Sequence, residues 1–363
     1  MPAQSLIEKL LSRHISEDGF SAGAVLASKN GQLVLEHYAG ELPAQQQTLW
    51  AVASISKMYT VATIMRLVEL GEVTLNTLAS AVIPEFTGSG REEIRLRHLL
   101  THTSGLIYES PVMEDRIKAQ TPFSTLLEEA FVTPLLFKPG TSLSYADYNT
   151  LIAGEMVSRI MRQPLPALVK QYLLEPMGLK NTFFPTPLEQ DSRVAPVRGV
   201  MAEGTDGAMY NSRYARALPH PAFAVTATAG DILRFLLHFA PTGYRVLSDA
   251  TIRAMTQDQT GLVHGVHPSM KGYDHNAPMP WGFGWALQTR EVPALFCELA
   301  GFRTFGHGGA SGCEMFCDPD ADVCVVVLSN SHLRRGREPW YRRLQSLMNT
   351  AYVAATTALP PSK

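Results

Sequence analysis

Ala51-Val52-Ala53-Ser54-Ile55-Ser56-Lys57-Met58 places a serine and a lysine three residues apart, just ahead of a largely apolar run from Val61 to Leu70. In that run Ile64, Leu67, Val68 and Leu70 recur near helical spacing, and Gly71 supplies the stop usual at a helix C-terminus. Positions i and i+3 of a helix lie on one face, so the Ser54 hydroxyl and the Lys57 amine are able to meet. An amine beside a serine is one way to activate a weak nucleophile, and partial burial favours the neutral amine that accepts a proton. Ser-x-x-Lys is nonetheless a common short pattern. Its plain reading is a capping serine and an exposed lysine, so its weight depends on matching pieces elsewhere in the chain.

The 363 residues exceed what one simple core usually holds and predict two lobes or a large insertion. A composition of 45% apolar and 18% charged residues is that of a globular chain. With 31 basic against 33 acidic residues, nothing points to nucleic acid or an anionic membrane as partner. Met1 to Leu11 reads as a short amphipathic helix, not as a charged start followed by an apolar run, and no apolar stretch approaches membrane-spanning length. The expectation is a soluble, cytoplasmic protein without a visible signal peptide; oligomeric state is silent. Cys297, Cys313, Cys317 and Cys324 all fall in one late segment. They are expected to be reduced and packed, because a zinc site would need a further ligand pair of the usual spacing.

Taken in order, Ala22 to Ser28 and Gln32 to Tyr38 are strand-like runs around Asn30-Gly31, a strong hairpin signal. Residues 72 to about 280 carry most of the prolines, with helical patterns and irregular loops. There Arg97-His98-Leu99-Leu100-Thr101-His102-Thr103-Ser104-Gly105-Leu106 predicts a short helix stopped by Gly105, with His98 and His102 at i and i+4. A zincin would have Glu where Leu99 stands, so a structural helix end is preferred to a metal. An apolar helix is predicted from Thr150 to Ile160, and another opens near Thr228 to Asp231. From about 281 strand patterns return: Phe283 to Leu287, Phe302 to His307, Cys313 to Cys317 and Asp322 to Leu328, the last two joined by a turn at Asp318-Pro319-Asp320-Ala321. The chain ends in an amphipathic helix with Trp340, Leu344, Leu347 and Ala351 on one face.

Strand-rich ends thus surround a helix-rich middle. The expected fold is α+β: residues 1–50 and 281–363 form an antiparallel sheet flanked by terminal helices, and residues 51–280 form a mostly helical second lobe. The Ser54 helix begins at the seam, where clefts form.

Three pieces then line up in chain order: Ser54-Ile55-Ser56-Lys57, Tyr145-Ala146-Asp147, and Gly306-His307-Gly308-Gly309-Ala310. With the 97–106 stretch, Pro139-Gly140-Thr141, Pro176-Met177-Gly178-Leu179 and Trp281-Gly282-Phe283-Gly284-Trp285 around them, this order resembles the serine β-lactamase and penicillin-binding-protein superfamily. The branch it is most similar to holds class C β-lactamase-like proteins and the family VIII-type esterases. The resemblance spans the chain from the Asn30-Gly31 hairpin to Leu328-Ser329-Asn330 and implies the β-lactamase/transpeptidase-like fold.

On these residues the resemblance implies that Ser54 is the acyl-forming nucleophile, with Lys57 beside it and Tyr145 as partner base. His307, Gly308 and Gly309 take the place of the family's third motif, with glycines that let the strand edge approach a substrate. The backbone N–H groups of Ser54 and Ala310 would form the oxyanion hole, and Tyr108 falls where related esterases can place a second cleft tyrosine. No cofactor and no metal is implied. Two departures stand out. Asp147 replaces the usual Asn, so that it either holds Lys57 protonated or points away, and His307 replaces the lactamase lysine. Both tilt the substrate from β-lactams, which carry a carboxylate, towards uncharged esters. The leading expectation is a serine hydrolase acting on small carboxylic esters. The alternatives are an acyltransferase using the same acyl-enzyme, a β-lactamase or D-peptidase, and a non-catalytic binding protein on the same fold. Loops at 107–125 and 200–225 are expected to set acyl and alcohol preference.

Overall fold

The computed structural model of the chain describes residues 3–18, 21–198, 208–261, 263–266, 279–331 and 337–357. Asn30 and Gly31, with φ of 50° and 74°, turn the chain between β1 (Ala22–Lys29) and β2 (Gln32–Gly40), as the Asn-Gly pair predicts. The further strands are β3 (Trp50–Ala51), β4 (Leu143–Ser144), β5 (Thr182–Phe183), β6 (Thr226–Ala227), β7 (Gly265–Val266), β8 (Ala286–Leu287), β9 (Phe305–Gly309), β10 (Cys313–Asp318) and β11 (Val323–Ser329). Six of these build one antiparallel sheet in the order β2-β1-β11-β10-β9-β8. The two ends of the chain meet inside it, because β1 pairs with β11 from Gly23 opposite Ser329 to Lys29 opposite Val323. The Asp318 carboxylate accepts from the N–H of Asp320 at 3.0 Å and of Ala321 at 3.3 Å, which fixes the turn between β10 and β11.

Side chains alternate across a strand, so the sheet has two apolar faces. On one, Val25, Phe316, Val325 and Val327 pack with Ile7 and Leu11 of the helix Ala3–Asp18 and with Leu344, Leu347 and Ala351 of the helix Arg337–Thr357. Trp340 belongs to that second helix, but its side chain lies outside the described residues. On the other face, Ala24, Leu26, Met315, Val326 and Leu328 join Met58, Ile64 and Met65 of the helix Ser56–Glu69 and Ile232, Phe235 and Leu236 of the helix Ala229–Leu237. That second core continues into the helix Asp147–Met161 through Leu151, Ile152 and Met156.

Three local expectations need correction. The helix expected to reach Gly105 is only Leu96–Leu100. The Thr101 hydroxyl bonds back to the Arg97 carbonyl at 2.8 Å and His102 turns to φ 58°, ending the helix early. The strand expected over Phe283 to Leu287 is confined to Ala286–Leu287, because Gly284 takes φ 84° against Met58 and Val61. The middle of the chain is also less purely helical than its pattern predicts: β3, β6 and β5 form a small antiparallel sheet, with Trp50 opposite Ala227 and Thr182 opposite the same residue. Strands of two residues leave too short an alternation to be read from sequence.

Candidate active site

Ser54 sits in a 3₁₀ turn, Ala53–Ile55, that leads directly into the helix Ser56–Glu69. Ala53 holds φ 47°, a left-handed conformation unusual for a residue with a Cβ and a mark of stored backbone strain next to the serine. Between Ala51 and Met58 every side chain is buried except that of Ser54, which is half-buried. The turn is braced from a distant segment. Val52 N–H donates to Val225 O at 3.2 Å, Val225 N–H to Ser56 Oγ at 3.0 Å, and Lys57 Nζ to Ala222 O at 3.3 Å. Residues 221–225 therefore run beside the first helical turn, a role with no motif to announce it.

The expected meeting of Ser54 and Lys57 occurs: Nζ donates to Oγ at 3.0 Å. Lys57 is fully enclosed and faces Asp147 Oδ1 at 2.7 Å, so of the two readings of Asp147 it is the paired one that holds. Burial alone would push the amine down. The Asp147 carboxylate and the Tyr145 oxygen beside it outweigh that and hold it above the usual lysine range. Asp147 is pushed up by burial against the opposing pull of Lys57. Nζ faces three oxygens, Asp147 Oδ1, Ser54 Oγ and Ala222 O, which matches the three donors of an ammonium and supports reading the pair as an ion pair.

Tyr145 lies over this pair, with Nζ 4.8 Å from its ring centre. Burial raises its phenol, while the Lys57 charge and hydrogen bonding with Lys57 and Ser54 oppose the rise. Its ring is walled by His102, Trp281, His307 and Tyr108 at centroid distances of 4.5, 5.6, 6.0 and 6.2 Å. Tyr108 stacks on Tyr145 at the edge of the cluster, and its own hydroxyl is raised well above the ordinary value by burial and the Asp147 charge. Its carbonyl also accepts the Asp147 N–H at 2.7 Å, fixing where the helix Asp147–Met161 starts. Tyr148, the rival tyrosine, is directed elsewhere, towards Ser110 and Thr133.

The third piece closes the site from the sheet. A Cβ on Gly309 would stand 2.3 Å from Val52 O, so only glycine lets the end of β9 dock on the turn that carries Ser54. Half-buried Ala310 follows at that edge. A Cβ on Gly308 would meet the Glu314 carboxyl at 2.5 Å, and Glu314 is itself pushed up to about 8 by burial. His307 is buried, with Nδ1 2.8 Å from Gly308 O. A carbonyl accepts, so Nδ1 carries the proton.

The two histidines that invited a metal have separate tasks. His98 Nδ1 accepts from Arg95 N–H at 3.2 Å and caps its helix. His102 Nδ1 accepts from Ala146 N–H at 3.2 Å and meets the Asn149 amide at 3.0 Å, while its carbonyl accepts from Ser144 N–H at 2.9 Å. It is the clamp on the Tyr145 loop, a residue whose place in the site the sequence reading missed. The same applies to His220, which lies near Lys57 and is pushed down to about 3 by burial and that charge. Cys297, Cys313, Cys317 and Cys324 are buried thiols, the first two pushed up to about 11 and about 12 by burial. Among the described residues no cluster of His, Cys, Asp or Glu is arranged for a metal, and no helix is long and apolar enough to cross a membrane. Part of the 200–225 stretch, residues 200–207, lies outside the described residues.

The sequence matches the family described as Beta-lactamase over residues 6–347. The chain belongs to the β-lactamase family. Within it, the chain is 28% identical over 323 residues to protein Rv1367c of Mycobacterium tuberculosis, spanning 79% of this chain and 78% of that one. It is 26% identical over 336 residues to esterase EstB of Burkholderia gladioli, spanning 84% and 82%. In three dimensions this β-lactamase family member superposes on the crystal structure of a family VIII carboxylesterase with a TM-score of 0.77 and 20% identity, covering 98% of both chains. The overall architecture expected from the three motifs is therefore the observed one.

Proposed function

We propose that the chain is a serine hydrolase that cleaves small carboxylic esters through an acyl-enzyme on Ser54. The observation that carries this reading is half-buried Ser54 with its hydroxyl 3.0 Å from Lys57 Nζ, and the Tyr145 ring lying over the same Nζ at 4.8 Å. From the resting phenol, loss of the Tyr145 proton to water gives a phenolate that the Lys57 ammonium stabilises, and Ser54 Oγ then attacks the ester carbonyl carbon while its proton passes to the Tyr145 oxygen. The carbonyl oxygen becomes an oxyanion facing the backbone N–H groups of Ser54 and Ala310, and one such donor is typically worth about 3 kcal/mol. Collapse breaks the bond to the alcohol, which leaves with the proton from Tyr145. Water then attacks the acyl carbon, gives a proton to Tyr145, and releases the carboxylic acid as Ser54 recovers its hydrogen. An ester-cleaving relative, EstB, supports this substrate class over lactams.

The test is turnover of p-nitrophenyl esters from acetate to octanoate, with nitrocefin alongside. Ser54→Ala is expected to lose about three orders of magnitude in kcat/KM on the esters. Full activity in Ser54→Ala would sink the reading. Fast nitrocefin turnover would move it to the lactamase alternative, products formed only with an added alcohol would move it to acyl transfer, and a fluorescent phosphonate that leaves Ser54 unlabelled would favour a binding role.

A further inference from the structure

Building on the acyl-enzyme reading above, we propose that Asp147 is the internal counter-ion of Lys57, and that by cancelling this charge inside the protein it makes the cleft select esters carrying no carboxylate. The two groups stand 2.7 Å apart and both are buried. Asp147 is the first residue of a 15-residue helix, where unpaired N–H groups and the helix dipole favour a negative side chain. Its backbone is pinned by Tyr108 O at 2.7 Å and, one residue earlier, by His102 at 3.2 Å. The carboxylate is thus held in place from the helix side while Ser54 and Ala222 hold the amine from the other.

The titratable groups named next add no second ammonium to the pair. Tyr145 covers the ammonium with a ring, and Tyr108 stacks on Tyr145 with Glu109 beyond it. His220, next to Lys57, is neutral at ordinary pH. His307, across Tyr145, offers an imidazole in place of a permanent cation. Among the described residues, the groups facing the Ser54 hydroxyl therefore include one ammonium and one carboxylate to match it. None of the described groups named here is a spare cation for an ester's carboxylate, and an unpaired charge is costly to bring out of water into such a site.

The experiment compares kcat/KM for p-nitrophenyl butyrate and mono-p-nitrophenyl succinate, which differ by a terminal methyl against a carboxylate. In the unaltered protein the anionic ester is expected to be the much poorer substrate. Asp147→Asn should raise the anionic-to-neutral ratio about tenfold or more, because the ammonium's field is then unopposed. It should also move the rising limb of the pH profile down by about one unit or more. Removing a buried negative charge makes the proton on Lys57 or Tyr145 easier to lose, so the sign holds whichever group gives it up. Asp147→Glu, which keeps the charge, should keep the low ratio. A folded Asp147→Asn protein with ratio and limb unmoved overturns the assignment. So does an unaltered protein that prefers the succinate ester, a result that needs no variant to fold. Turnover that does not depend on Ser54 would bring down the acyl-enzyme reading instead, so the two failures are distinguishable.

Discussion

The two faces of the six-stranded sheet carry different kinds of burial. The face under the terminal helices is filled by aliphatic and aromatic side chains such as Val325, Val327, Phe316 and Leu347. The other face leads past Met315 and Val326 to the turn of Ser54, where an ammonium, a carboxylate and a phenol are packed into the same molecule. The first kind of burial stabilises by removing apolar surface from water. The second gives away part of that gain, since a buried ion pair seldom outperforms well-packed apolar groups of its size. Strain at Ala53 has the same location. A buried ion pair and a strained turn thus stand side by side here, held by a core able to tolerate them.

The contrast can be broken most strongly at the ion pair. Lys57→Met should destabilise by about 3–5 kcal/mol, because Asp147 is left charged and buried without a partner. Adding Asp147→Asn should restore a good part of that loss while leaving the protein inactive, a pattern that paired denaturant melts and ester assays would read. Failure of the second substitution to recover stability would mean that the cost lies in packing and not in charge. A next, smaller effect is expected on the apolar face. Leu347→Ala should cost about 2–4 kcal/mol through lost contacts and a residual cavity, with kcat/KM per folded molecule unchanged. A fall in kcat/KM would show that the two faces are coupled.

The smallest effect is expected at Glu314, at the border of the site beside Gly308, because its side chain is only partly buried and solvent screens much of the cost of charging it. Its carboxyl is pushed up to about 8 by burial, so between the ordinary carboxylate range and that value the folded chain binds more protons than the unfolded chain. Stability contributed by the neutral acid is therefore present at low pH and lost as pH rises through that window. Glu314→Gln should match the parent in acid and exceed it above about pH 8 in chemical denaturation midpoints. A pH slope identical in the two proteins would remove Glu314 as its source.

Much of this was legible residue by residue. The Asn30-Gly31 turn, the valine-rich β11 and the Asp318 turn were readable because their signals are local: positive φ, alternation and side-chain bonds to nearby N–H groups. The Ser54–Lys57 contact was readable because helical stacking fixes it. The end of the 97–106 helix was not. His102 leaves the helix to bond with Ala146 and Asn149, partners more than forty positions away, as the sequence separations of 44 and 47 show. Residues 221–225 were missed for the same reason, since their contribution is made by backbone atoms that any sequence would supply.

By itself, then, the sequence determined which elements form and which chemical groups are on offer: a serine, a lysine, a tyrosine, an aspartate in place of an amide and a glycine-rich strand end. Periodicity and side-chain chemistry are local properties, and they survive in a string of letters. Only the tertiary structure decided that Asp147 turns towards Lys57 instead of away, and that Gly309 lets the sheet edge rest on the nucleophile's turn. Those outcomes depend on distances of a few ångström between segments far apart in the chain. Electrostatic interaction and steric contact both change steeply over that range, and nothing in one-dimensional order fixes it.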